Sequence, residues 1–466
     1  MALSRRGQCY AGQGTGQLIW TVIKDLWDSN TNPDGYVSLG VAENSLMHDE
    51  LSKYIHENIK LPLNGLTYGD GGAGSRYLQA AMAHFLTRKL KPVVPFETSQ
   101  ITITNGATTA IEHVSSIFAD PGDAFLLGQP YYGAFPDDIE LRPGVKLVKV
   151  PFGSTDPLSL NAVKAYVEVI ELCHKKGQKV AGLMLCNPHN PLGRCYSREV
   201  MIELMKLCQK HKIHLVSDEI YANSVWRESD PQDLSVIPFT SLSSISTEKI
   251  IDPALTHILY GISKDFGANG LRIGCVVSQH NVEVQKAMVS LSIYSYASSL
   301  SESIVAQLLS DDDYVDWYIV ENNNRLRENY EVVTTWARKH GITYAKGSNA
   351  AFFLWLDLGR VWSARTKSLP AQQVNGTTVQ MQDPQTAPGA VAKIDQAFEL
   401  TSDINNSLLE QKIFLATGTS FGSEEPGWFR IVFSQQHEVL QEGLRRIEKA
   451  LDLGDDLSDK MQATNL

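Results

Sequence analysis

No run of apolar residues in this 466-residue chain approaches the length of a membrane-spanning helix, which needs about 20 in succession. Its six cysteines, Cys9, Cys173, Cys186, Cys195, Cys208 and Cys275, contain no CxxC pair. Neither a disulfide framework nor a zinc or other metal site is therefore expected, and the thiols read as reduced and mostly buried. An excess of positive charge is missing too. The 41 Lys and Arg stand against 52 Asp and Glu, a formal charge of -11, so the surface repels nucleic acid and anionic lipid. Met1 to Arg6 lead into Gly7-Gln8-Cys9 and not into the apolar core of a secretion signal. Ala463-Thr464-Asn465-Leu466 matches neither a prenylation nor a peroxisomal signal. The expectation is a cytoplasmic protein with no nucleic-acid and no membrane partner.

What is present is enough apolar sequence, 43% of residues, for a sizeable core over two or three domains. Ile101-Thr102-Ile103-Thr104 reads as a strand. A turn at Asn105-Gly106 follows, then a helical spacing of Ala110, Ile111, Val114, Ile117 and Phe118. Ala119 to Asp123 breaks that helix before a short run over Ala124 to Leu127. The rhythm returns as a strand over Val180 to Leu185, a helix around Glu199 to Gln209 and a strand over Ile213 to Ser217. Such alternation predicts an α/β fold with a mostly parallel sheet, where ligands collect at the carboxyl ends of the strands. Asn190, Asp218 and Lys264 all stand just after predicted strands. Residues 363–392, rich in Gln, Thr, Pro and Gly without an apolar period, read as a mobile surface insertion. The acidic segment 452–466 reads as a frayed tail.

Lys264 lies in Tyr260-Gly261-Ile262-Ser263-Lys264-Asp265-Phe266-Gly267, eight residues before Arg272 and about forty-six after Asp218-Glu219-Ile220-Tyr221. The chain also carries Leu39-Gly40-Val41-Ala42-Glu43-Asn44, Tyr68-Gly69, Asn105-Gly106-Ala107-Thr108 and Pro130-Tyr131-Tyr132. Further on stand Asn187-Pro188-His189-Asn190-Pro191-Leu192-Gly193, Ser348-Asn349-Ala350 and Glu425-Pro426-Gly427-Trp428-Phe429-Arg430. In this order the motifs resemble the class I aminotransferase superfamily dependent on pyridoxal 5'-phosphate (PLP), and within it the 1-aminocyclopropane-1-carboxylate (ACC) synthase-like branch. The resemblance implies fold type I: a large PLP-binding domain over about 56–300, and a smaller α/β domain of 1–55 with 301–466. It also implies a homodimer.

The resemblance assigns roles that the chemistry of each side chain suits. Lys264 would hold PLP as a Schiff base and then serve as the base at Cα of an external aldimine. Asp218 would keep the pyridine nitrogen protonated. Tyr221 and Asn190 would donate to the phenolate oxygen. Gly106, Ala107 and Thr108 open a helix whose amides, with Arg272, would cradle the phosphate. Tyr68 would reach the same phosphate from the neighbouring subunit. Tyr132, or Tyr131 in its place, would stack on the ring. Gly261 stands where family members commonly carry a serine, leaving one phosphate contact to Ser263 or Thr109. Arg430 suits bidentate capture of the substrate α-carboxylate, and Glu43 occupies a place near the substrate in ACC synthases.

Glu43, and Leu192 where aminotransferases usually have threonine, favour the ACC synthase-like branch, and that resemblance implies lyase chemistry on an L-α-amino acid, with loss of a sulfur leaving group. The substrate would be S-adenosylmethionine or a cysteine-derived thioether, the latter in fungal-type secondary metabolism, which Leu3-Ser4-Arg5-Arg6-Gly7 resembles. The alternative is an aminotransferase passing the amino group to a 2-keto acid, since every residue above serves that reaction too. Intact Lys264, Asp218 and Arg430 argue against a non-catalytic PLP-fold protein.

Overall fold

The computed structural model describes residues 3–13, 18–229, 235–366 and 388–454. Among them the strands are β1 (Val37–Ser38), β2 (Ile101–Asn105), β3 (Ala124–Gly128), β4 (Lys146–Val150), β5 (Val180–Cys186), β6 (His214–Asp218), β7 (Thr256–Gly261), β8 (Ile273–Val277), β9 (Thr343–Tyr344), β10 (Phe353–Asp357), β11 (Ile413–Phe414), β12 (Ala416–Thr417) and β13 (Trp428–Val432). The central sheet runs β2-β8-β7-β6-β5-β3-β4 and is parallel except for β8, which is antiparallel to both neighbours. β5 is buried at every position, as expected of a strand covered on both faces.

The helices that cover the sheet follow from their patterns. Arg198–His211 is capped by the Ser197 hydroxyl, which accepts from the Val200 N–H, and it buries Val200, Met201, Leu204, Leu207 and Cys208 on one face. The helix after β2 starts at once, at Gly106, a turn earlier than its apolar spacing alone indicates. Register sets the functional edge: Asp218 pairs with Cys186 on one side and Leu259 on the other. The ends of β5, β6 and β7 therefore lie side by side.

A second sheet, β12-β13-β10-β9, is antiparallel. The short parallel pair of β1 and β11 brings the N-terminal segment alongside it. The Leu39 N–H donates to the Phe414 carbonyl, and the Val432 N–H donates to the Leu39 carbonyl. Glu43 and Arg430, far apart in sequence, become neighbours of one site through these bonds.

Two expectations need correction. The insertion 363–392 is helical at both ends, because Leu358–Thr366 and Pro388–Glu410 are helices; proline suits a first helical position, whose N–H has no partner to lose. Residues 367–387 lie outside the described residues. The C-terminal segment does not fray at Asp452: Leu453 is buried and its N–H donates to the Glu448 carbonyl. Residues 455–466 lie outside the described residues. No helix among the described residues is long and apolar enough to cross a membrane.

Candidate active site

Asp218 ends β6, Asn190 follows β5, and Lys264 sits in the single helical turn Ile262–Asp265 that continues β7. With Thr108, Tyr132, Tyr221 and Arg272 they line one cavity of about 170 Å³. The Lys264 amine donates to the Ala42 carbonyl at 2.6 Å. Burial, with the Arg430 charge beside it, pulls its pKa down to about 8, partly offset by Glu43 and Asp218. Asp218 is 4% exposed. Burial pushes its carboxyl up to about 7, against the Ile220 N–H at 3.2 Å and the Lys264 charge. A carboxylate this buried, with one donor and no cation in contact, is incompletely compensated. A protonated pyridine nitrogen would complete it.

Arg430, in β13, is 4% exposed and lies over the faces of Phe353 and Phe421, at 5.0 and 4.6 Å from the ring centroids. Its Nη1 donates to Asn190 Oδ1 at 2.9 Å and its Nη2 to the Gly40 carbonyl at 2.8 Å, while its buried Nε has no partner. The Asn190 oxygen is thereby committed, which leaves the amide Nδ2 of that residue to face the cavity as a donor. Burial pushes the Tyr221 hydroxyl well above the usual phenol range, so it too stays a donor. Its ring is fixed edge-on by Phe352 and Phe353.

At the opposite wall, Gly106 has φ +77°, and a Cβ there would lie 2.2 Å from an Arg272 guanidinium nitrogen. Only glycine lets that cation sit over the helix start. Arg272 donates to the carbonyls of Asn269 and Asn105 at 3.0 and 3.3 Å, with the Ala107 and Thr108 segment beside it. A helix N-terminus with a guanidinium over it is an anion cradle. At Gly261 a Cβ would meet the Ile273 carbonyl oxygen at 3.0 Å, so a side chain there requires β8 to yield by a few tenths of an ångström. Of the two proposed substitutes, Ser263 lines the cavity, whereas the Thr109 hydroxyl donates to the Asn105 carbonyl.

Tyr132 lines the cavity and Tyr131 does not; Tyr131 packs against Gly422. Glu43 is half-buried and accepts from Asn269 Nδ2 at 2.8 Å. Tyr68 is 84% exposed and stands outside the cavity of its own chain. Asn269 was missed from sequence, although its place in the turn between Lys264 and Arg272 was a usable signal. Among the described residues no group of three His, Cys, Asp or Glu side chains is placed to hold a metal. The uncompensated carboxylate, the low-pKa amine and the anion cradle together fit PLP.

The family model described as aminotransferase class I and II matches residues 36–447. The chain is 31% identical over 441 residues to 1-aminocyclopropane-1-carboxylate synthase-like protein 1 of Mus musculus, covering 93% of this chain and 79% of that one. It is equally 31% identical over 441 residues to 1-aminocyclopropane-1-carboxylate synthase 2 of Arabidopsis thaliana, covering 91% and 80%. Among solved structures, aspartate aminotransferase from Thermus thermophilus with maleate superposes with a TM-score of 0.68 at 19% identity, over 97% of this chain and 100% of that one.

Proposed function

The chain belongs to the class I and II aminotransferase family and is a PLP-dependent lyase or aminotransferase, and from that premise we propose lyase chemistry on an L-α-amino acid that loses a sulfur leaving group. The observation that carries this reading is the Glu43 carboxylate, held by Asn269 beside the reactive lysine. Arg272 is taken up by the phosphate cradle, Arg430 by the α-carboxylate and Lys264 by the cofactor. Among the described residues no cation of the cavity's own side chains is left for a second carboxylate, and Glu43 repels one. A sulfonium or a neutral thioether suits that side of the site.

PLP, when bound, supplies the electron sink that makes a Cα proton removable at neutral pH. The rest falls to the chain. Lys264, with its pKa near 8, has a substantial neutral fraction at mild pH and takes the proton from Cα. Asp218 stays ionised once a cation faces it, and so holds a proton on the ring nitrogen. Asn190 Nδ2 and the Tyr221 hydroxyl donate to the ring oxygen. Arg430 keeps its charge despite burial, and with Nη1 and Nη2 engaged its unpartnered Nε is the donor left for the substrate carboxylate, which would fix the orientation of the Cα–H bond.

The assembly belongs to the same reading. Leu63, Leu66, Tyr68 and Tyr294 are each more than 70% exposed, and the Ser299 hydroxyl joins their two segments through the Thr67 carbonyl. An exposed apolar patch of this kind suits an interface. A homodimer placing Tyr68 at the partner's phosphate accounts for it. Mixing Lys264→Ala with Tyr68→Ala chains should restore turnover at one site in mixed dimers; no recovery would remove the shared site. The division into 56–300 and 1–55 with 301–466 is part of this proposal, and the separation of the seven-stranded sheet from the four-stranded sheet and the β1–β11 pair supports it.

Product analysis by mass spectrometry tests the reaction. S-adenosylmethionine, cysteine S-conjugates and aromatic amino acids are supplied with and without a 2-keto acid. Release of methylthioadenosine or of a thiol supports the lyase; the thiol would favour the fungal secondary-metabolism version. Amino transfer to the keto acid as the sole outcome replaces the lyase by an aminotransferase.

A further inference from the structure

A buried carboxylate next to the reactive lysine has no part in the chemistry above. Asp265 is 1% exposed, yet its neighbours supply four donors. Asn223 N–H and Nδ2, each at 3.0 Å, and the Tyr260 hydroxyl at 2.9 Å reach Oδ2, and the Ser224 hydroxyl reaches Oδ1 at 2.6 Å. None of these is a cation. Burial pushes the Asp265 pKa up to about 6, with the hydrogen bonds opposing it. Burying a carboxylate without a counter-ion is costly, and side-chain amides or apolar residues fill such space more cheaply. A carboxylate differs in accepting at every position, whereas an amide must turn two donors toward its surroundings.

The donors come from two places that have to be held together. Tyr260 belongs to β7, the strand that leads into Lys264. Asn223 and Ser224 follow Tyr221, at the end of β6. The second segment is tied down further: Asn323 Nδ2 donates to the Asn223 carbonyl at 3.0 Å, and the Ala351 N–H donates to the Ser224 carbonyl at 2.8 Å. The charged groups that face the Lys264 amine are Arg430, Glu43, Asp218 and Arg272. Asp265, whose carboxylate is engaged by Asn223, Ser224 and Tyr260, is not among them, so its influence passes through geometry and not through its field.

We propose that Asp265 is a positioning residue: by gathering Asn223, Ser224 and Tyr260 it holds the turn that carries Lys264 against the segment that carries Tyr221, and so sets the proton affinity of the lysine–cofactor linkage. The proposal rests on the PLP reading of Lys264. Its test is a pH titration of the visible absorbance of the PLP-loaded protein, for wild type, Asp265→Asn, Ser224→Ala and the reciprocal pair Asp265→Asn with Asn223→Asp. Asp265→Asn should keep PLP yet move the titration midpoint by about half a pH unit or more. With the amino acid found by product analysis, kcat should fall about 10- to 100-fold with KM within about threefold, the cost of a misplaced reacting group. Ser224→Ala, which leaves the carboxylate and removes one donor, should move the midpoint the same way by less. The reciprocal pair, which returns a carboxylate to the cluster, should recover most of the loss. A lowered Tm with midpoint and kcat unchanged in Asp265→Asn, or in Ser224→Ala if the first variant does not fold, would overturn the proposal alone. A wild type that takes up no PLP at Lys264 would remove the earlier reading and this one with it.

Discussion

Two cavities open at opposite ends of the central sheet, and the larger is not the one with chemistry. At the starting end of β7, Val93, Val94, Phe96, Ile245, Ile258 and His257 line a space of about 460 Å³; the space at the carboxyl ends of β5 to β7 measures about 170 Å³. At the larger one the buried polar groups satisfy each other: His257 bonds Ser278 and His214 at 3.0 Å on its two ring nitrogens, and Phe118 stacks on His214. At the smaller one they do not. Asp218 lacks a cation, Arg430 an Nε acceptor, and Lys264 titrates low. Incomplete compensation, and not volume, marks a site awaiting a ligand.

The largest expected effect would break this contrast at its centre. Lys264→Ala should lose covalent fixation of PLP by borohydride and reduce turnover by about 10⁴-fold, the upper range for a positioned base; retained labelling in an intact-mass measurement would refute the assignment. Asp218→Asn should still load PLP but fall about 10²- to 10³-fold in kcat, because an amide cannot hold a proton on the ring nitrogen. Wild-type rates there would show the uncompensated carboxylate to be incidental. Arg430→Ala sharpens the contrast further. It should keep the cofactor's visible absorbance while weakening binding of a carboxylate substrate analogue by about 1.5 to 3 kcal/mol, or about 10- to 150-fold. Unchanged binding in a spectroscopic titration would remove the substrate anchor.

The active end was largely legible because its residues sit in local motifs. A lysine after a strand, an aspartate after another and a glycine opening a helix are short-range patterns, and β2, β3, β5 and β6 came within a residue of their predicted limits, whereas β4 and β8 were not read. What joins them was not. The Arg430 to Asn190 bond spans 240 residues, and periodicity carries no information about such pairs. Glycine at 261 read as a missing hydroxyl, and the tightness of β8 against that position, a neighbour set by topology, was not visible. The ends of 363–392 were read as irregular because their helices lack a clear apolar stripe. Asp265 passed unremarked because its meaning depends on Asn223 and Ser224, brought near by the pairing of β6 with β7.

The smallest effect belongs to the other end of the sheet. Burial lowers the pKa of His214 to about 4 and that of His257 well below the usual imidazole range, with His214 adding to the effect on His257. Both are neutral in the folded chain at pH 7, one ring nitrogen donating and the facing one accepting. In the unfolded chain both take protons near pH 6.5. Folded values depressed in this way contribute stability that is complete above about pH 6.5 and is lost as the pH falls from there toward about 4. His257→Gln should cost about 1 kcal/mol at pH 7.5 and then flatten the decline in Tm between pH 6.5 and 5, since one of the two proton acceptors is gone. The cofactor absorbance and turnover should stay as in wild type, because nothing at this end faces the reacting atoms. Parallel Tm profiles for variant and wild type would show that the histidine pair does not govern the acid limb, and a loss of turnover would show that the two ends of the sheet are not independent.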